Sequence, residues 1–124
     1  MLDGFETHDV AHGDVRLRVR RAGTGSPLLL LHGHPQTSAM WHRVAPALAE
    51  RHEVVLMDLR GRGDSSRVPP DADHAAYAKR AMAADALAVM RRFGHARFAV
   101  LAHDRGARVA HRLALDHPQA VTRA

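Results

Sequence analysis

Five consecutive residues, Ala102-His103-Asp104-Arg105-Gly106, have the form small, any, nucleophile, any, small, and they lie between an apolar run and a helix-like segment. A sharp strand-to-helix turn pushes its central side chain out over the end of a sheet in a strained conformation. Small residues two positions either side let strand and helix approach that closely. With aspartate at the centre, the attacking group would be a carboxylate. A helix amino terminus and the adjacent Arg105 would keep it ionised near neutral pH. The same aspartate would serve equally well as the cap of a helix from Arg105 to Leu115, and the pentapeptide by itself leaves both roles open. A second segment, His32-Gly33-His34-Pro35, directly follows another apolar run. Gly33 permits a turn that aims backbone N–H groups at a neighbouring site, which is how an oxyanion hole is built. His32 and His34 could instead be two metal ligands, but no third ligand stands nearby. None of the eleven histidines has the H-E-x-x-H spacing of a metal hydrolase, so no metal is expected.

To act together, these segments must leave neighbouring strands at one edge of a sheet. Val15 to Arg20 alternates as a half-buried strand, with Val15, Leu17 and Val19 inward and Arg16, Arg18 and Arg20 on the wet face. The Gly/Ser/Pro-containing stretch from Ala22 to Pro27 ends it. Leu28 to Leu31, Val54 to Met57 and Phe98 to Ala102 are short apolar runs of the kind found on inner strands covered on both faces. Trp41, Val44 and Leu48 have helical spacing, with Pro46 opening a short helical piece. Leu59 to Asp73, which contains Pro69-Pro70, reads as loop. From Ala75 a helix is expected, its buried stripe formed by Ala78, Met82, Ala86, Val89 and Phe93 and its end capped by Gly94. Val109, Ala110 and Leu113 trace the last helix, closed by Pro118. Strand and helix in alternation predict an α/β fold with a parallel sheet and right-handed crossovers. Ligands in such sheets bind at the carboxyl ends of the strands, where both unusual loops fall. The sheet is expected to end at Phe98 to Ala102, with that strand's outer edge open.

Composition narrows the function classes. The 124 residues carry 18 Lys+Arg against 13 Asp+Glu, a formal net charge of +5, with 46% hydrophobic and 25% charged residues. That is an ordinary globular composition, suited to one domain or part of a larger one. No apolar run approaches the roughly 20 residues that span a bilayer, and the acidic start MLDGFETHDV does not read as a signal peptide. The absence of cysteine excludes a thiolate nucleophile or thiolate metal site and fits a reducing cytoplasm. The arginines are scattered, and only 4% of residues are aromatic, so neither nucleic acid nor membrane is expected as a partner. Arg62-Gly63-Asp64 spells an adhesion tripeptide, which without a secretion signal reads as part of a loop. Asp58, at a strand end, reads as a structural tether of the loop that follows it.

These motifs, HGHPQT at His32 to Thr37, Trp41, DLRGRGDS at Asp58 to Ser65 and AHDRGARVAHRLALDHP at Ala102 to Pro118, stand in an order that resembles the α/β-hydrolase superfamily, and most closely its fluoroacetate (haloacetate) dehalogenase branch. The resemblance covers roughly Phe5 to the last residue. It implies an α/β-hydrolase fold, Asp104 as nucleophile, and Arg105 and Arg108 as the pair that holds the substrate carboxylate. The same resemblance assigns the oxyanion hole to the backbone N–H groups of His34 and Arg105. The related epoxide hydrolases and haloalkane dehalogenases usually carry Trp after the aspartate, where this chain has Arg105. A carboxylate substrate would be repelled by Asp104 unless cations neutralise and orient it, and bidentate arginines do both. Two departures are visible: Ala102 stands where Gly is commoner, and His34 where an aromatic is frequent. The resemblance also implies a small-molecule carboxylate substrate, no cofactor, and room for a homodimer of the full-length protein. A cap domain, an acidic residue on a further strand and a late general-base histidine, all expected of the family, have no counterpart in these 124 residues. His111 and His117 fall on or at the end of the last helix and are expected at the surface. The chain therefore reads as the amino-terminal portion of such an enzyme.

Overall fold

The apolar runs and the alternating run assemble into one sheet, with helices laid on both of its faces. The computed structural model describes residues 4–13, 15–32, 41, 44–59, 65, 79–103 and 105–123. In chain order the elements are β1 (Glu6–His12), β2 (Val15–Ala22), β3 (Ser26–Leu31), α1 (Ala45–Leu48), β4 (His52–Met57), α2 (Lys79–Arg92), β5 (Phe98–Ala102), α3 (Arg105–Asp116) and β6 (Val121–Arg123). The strands lie in the order β1-β2-β4-β3-β5-β6. Strands β4, β3, β5 and β6 are mutually parallel, and the β1-β2 hairpin joins β4 antiparallel.

Strands β3 and β4 show why their sequences are apolar throughout. Leu29 and Leu31 of β3 and Val55 and Met57 of β4 enter one core, whereas Leu28, Leu30, Val54 and Leu56 enter a second on the other face. The first core is closed by α2 and α3 and also receives Leu17 and Val19 of β2. The second is closed by Trp41 and Ala45 at α1. Along β2 the inward residues Val15, Leu17 and Val19 are buried and the arginines between them are not, as the alternation predicts. Helix α2 ends as predicted at Gly94, where φ is +85°. The Gly94 N–H donates to Arg91 O (3.0 Å) and the His95 N–H to Met90 O (2.9 Å), which is the Schellman arrangement. The face that α2 buries is wider than the predicted stripe: Ala83, Leu87 and Met90 join Met82, Ala86 and Val89, because the helix lies against α3 as well as the sheet. Ala78 of that stripe lies outside the described residues.

The structure corrects three expectations. Strand β1 was not anticipated, because ETHDVAH buries only Val10 and lacks the alternation that identifies β2. Helix α1 spans only four residues and Val44 stands exposed before it, so Val44 does not share a buried stripe with Trp41 and Leu48. The sheet does not end at β5: β6 pairs with it in parallel, Phe98 opposite Val121 and Ala99 opposite Arg123. The turn Asp116 to Ala120 is short enough to return the chain at once, and the Phe98 N–H donates to Ala120 O at 2.8 Å. Among the described residues, no helix is long and apolar enough to cross a membrane.

Candidate active site

The three parallel strands that precede the unusual segments end on one line. Leu31 is opposite Met57 on one side and Ala102 on the other, so His32, Asp58 and His103 all leave the sheet at the same edge. From β5 to α3 the chain has only two residues, His103 and Asp104. The His103 N–H donates to Leu31 O (3.1 Å), fixing the end of β5 to β3, and the Gly106 N–H donates back to His103 O (2.9 Å). Gly106 is buried, and a methyl group on it would sit 2.5 Å from His32 O and closer still to Leu31 O, both backbone atoms. The first turn of α3 therefore rests on the β3 main chain, and only glycine allows it. The other small residue of the pentapeptide, Ala102, is half-buried.

Of the predicted site residues, Asp104 and His34 lie outside the described residues. Arg105 opens α3 and Arg108 follows one turn later, so the two share the amino-terminal turn of the helix. Arg108 is exposed and open to a ligand. A terminus of this kind favours anions, through unsatisfied N–H groups and the helix dipole as well as through side-chain charge.

A buried polar lattice holds the adjoining loops, and spacing gave no signal of it. His32 is fully buried, and its Nε2 accepts the N–H of Leu59 at 2.9 Å. A backbone N–H can only donate, so Nε2 carries the lone pair and the ring is the neutral Nδ1–H tautomer. That nitrogen is therefore not available to a metal, and His32 instead ties the end of β3 to the end of β4. Ser65 Oγ donates to Asp58 O (2.6 Å) and accepts the Arg18 N–H (2.9 Å), while the Asp58 N–H donates to Arg18 O (3.0 Å). The loop after β4 is thus tethered, through the main chain of Asp58 and the hydroxyl of Ser65, to Arg18 on the neighbouring strand β2. Ser65 closes the DLRGRGDS motif, which was the only signal for its role.

A second histidine invites a catalytic reading. His12 Nδ1 lies 2.7 Å from Asp85 Oδ1, and the Asp85 side chain is 1% exposed. His12 is on β1, however, four strand spacings from β5 in the sheet order, or about 19 Å. That is far beyond hydrogen-bond reach of a water at the β5–α3 turn, so the pair fastens the hairpin to α2.

Comparison with known proteins agrees with this architecture. Residues 26–124 match the family model described as alpha/beta hydrolase fold. A fluoroacetate dehalogenase from a Burkholderia species is 51% identical over 98% of this chain and 40% of its own length. A soluble epoxide hydrolase from Corynebacterium sp. (strain C12) is 38% identical over 99% of this chain and 38% of its own. The crystal structure of a candidate alpha/beta hydrolase from Nostoc sp PCC 7120 superposes with a TM-score of 0.95 at 54% identity, covering 98% of this chain and 42% of that one. The chain spans about two fifths of the length of the relatives it matches. With its strand order, its glycine-dependent β5–α3 turn and this match over most of its length, the chain belongs to the α/β-hydrolase fold family.

Proposed function

We propose that this chain carries the nucleophile of a haloacetate dehalogenase-like hydrolase, with Asp104 as the attacking group. The observation that carries the reading is the β5–α3 turn. Gly106 packs on the β3 main chain, and between Ala102 and Gly106 the sequence supplies an aspartate followed by Arg105, with Arg108 one turn on. The likeness to a fluoroacetate dehalogenase supports the same choice of substrate class. Arg105 and Arg108 hold the carboxylate of a 2-halo acid, and an Asp104 oxygen attacks the adjacent carbon. A C–O bond forms as the carbon–halogen bond breaks, and halide leaves with the bonding pair. Water then attacks the carbonyl carbon of the resulting ester, and the backbone N–H groups of His34 and Arg105 stabilise the oxyanion. Collapse releases the 2-hydroxy acid and restores Asp104. Deprotonating that water needs a base. His32 is engaged as a hydrogen-bond acceptor and His12 is too distant; the family resemblance assigns the base to a late histidine, in the part of the relatives' length that this chain does not span. No cofactor enters the scheme.

A chain without that base should stop at the ester, which provides the test. Incubation with bromoacetate should give one carboxymethyl group on Asp104, mapped by peptide mass spectrometry, with one equivalent of bromide released and none from Asp104→Asn. Alkylation confined to histidines would overturn the assignment. The epoxide hydrolase relative favours a second reading, in which Asp104 opens an epoxide. Rapid esterification by styrene oxide with none by bromoacetate would select it.

A further inference from the structure

At the opposite, amino-terminal edge of the parallel strands, the end of α2, the start of β5 and the α3–β6 turn surround a cleft of about 870 Å³. That volume lies within the roughly 300–1,000 Å³ usual for small-molecule sites. The polar lining is Arg91, Arg97, His117 and Gln119, over a floor that includes Ala96 and Pro118. Its one acid, Asp116, is already engaged: Arg80 Nε donates to one of its oxygens (3.2 Å) and Arg112 Nη1 to the other (3.4 Å). Burial pushes the Asp116 carboxyl up, but the hydrogen bonds from Arg80 and Arg112 outweigh it and hold the group below the usual aspartate value. The carboxylate is thus ionised and matched. Arg91 and Arg97, both exposed, have no ion-pair or hydrogen-bond partner among the described residues. With Asp116 matched from outside the lining by Arg80 and Arg112, the two unpaired arginines Arg91 and Arg97 leave the cleft positive, and the proposed reaction at the other edge of the sheet makes no use of it.

We propose that this cleft is a second, non-catalytic site that binds a small phosphorylated molecule, its phosphoryl group held between Arg91 and Arg97. Two guanidinium forks supply paired donors that match phosphate oxygens, and His117 and Gln119 add further donors at the same mouth. The space beyond the arginines, over Ala96 and Pro118, receives the remainder of the ligand. Nothing in the proposal depends on the hydrolase reading, because the two sites lie at opposite ends of the strands.

The test is a titration of the isotope-labelled chain with inorganic pyrophosphate at fixed ionic strength, followed by amide NMR. Saturable shifts are expected at Arg97, Gln119 and Ala120. Arg91→Gln and Arg97→Gln should each weaken binding roughly tenfold, as loss of a charge-assisted contact does. Arg16→Gln, which removes an equal charge from the β1-β2 hairpin, should leave it unchanged. Equal weakening by Arg16→Gln would reduce the effect to net charge and overturn the proposal. Shifts that never saturate would do the same, and equal affinity for citrate would overturn the choice of phosphate.

Discussion

Gly106 decides the geometry of the β5–α3 turn, because a Cβ there meets the carbonyl oxygens of Leu31, the last residue of β3, and of His32 directly after it, which cannot move without moving the end of the central strand. Gly106→Ala is expected to cost about 1–3 kcal/mol of stability by urea unfolding, as overpacking does, and to abolish bromoacetate labelling of Asp104 even in the folded fraction. Labelling at the wild-type rate would mean that the turn tolerates displacement. The role proposed for Arg108 is separable. Arg108→Leu should slow labelling by bromoacetate by about 2–4 kcal/mol in activation free energy, while leaving the uncharged bromoacetamide little affected. Equal slowing of both reagents would place Arg108 in support of the helix rather than at the substrate. The small-x-x-x-small pattern was legible because its steric demand is local, confined to five adjacent residues. The role of His32 was not, because the amide it accepts from is 27 residues away and only the folded sheet brings the two together.

At the scale of elements, the inner strands and long helices were legible wherever burial imposed a period. Strands β3 and β4 are filled on both faces, α3 has a strongly one-sided pattern, and β2 alternates. Elements held by polar contacts were not. Strand β1 buries a single valine in the core, and its register rests on cross-strand pairs such as Asp9 with Arg18, Nε to Oδ1 at 2.8 Å. A similar polar joint links β4, β2 and the α2–β5 turn, where Glu53 accepts from Arg21 Nε at 3.0 Å and contacts His95 Nε2. Arg21 in turn lies over the Phe93 ring, 4.9 Å from its centroid. Burial raises the Glu53 pKa, but the hydrogen bonds to His95 and Arg21 lower it further, so the net value falls below the usual 4.5. A carboxylate depressed in this way binds fewer protons folded than unfolded. Its stabilisation is fully present above the unfolded value of 4.5 and is lost as pH falls through the lower folded value. Stability measured by denaturant titration should therefore decline below about pH 4.5, and Glu53→Gln should flatten that decline. Asp9 and Asp116, lowered by their own arginines, should preserve part of the slope in the variant. An unchanged acid limb in Glu53→Gln would show that the joint contributes nothing to folding.

The molecule as a whole places the β5–α3 turn, with its proposed nucleophile, inside a sheet whose last described strand has only three residues. Strand β6 is held by β5 on one side, and among the described residues no strand pairs its other edge. Leu101 of β5 and Leu115 of α3 stand 40% and 56% exposed. An open strand edge beside uncovered apolar side chains is a template for association, and three residues of pairing stabilise it weakly. The proposed reaction has a similar gap, since its first half needs only Asp104 and the two arginines, whereas its second half needs the base assigned above to the part of the relatives' length that this chain does not span. The two deficits predict linked behaviour for the 124-residue chain. Sedimentation velocity should reveal concentration-dependent self-association, with near-UV circular dichroism weaker than a tightly packed domain gives. Halide release from bromoacetate should stop at one equivalent per chain. A monodisperse, cooperatively folded monomer that releases many equivalents would mean that these residues contain a base the present geometry does not identify. Association combined with many turnovers would place that base on a second copy of the chain. Stoichiometric release with a trapped Asp104 ester would instead confine the missing chemistry to the part of the relatives' length beyond what this chain spans.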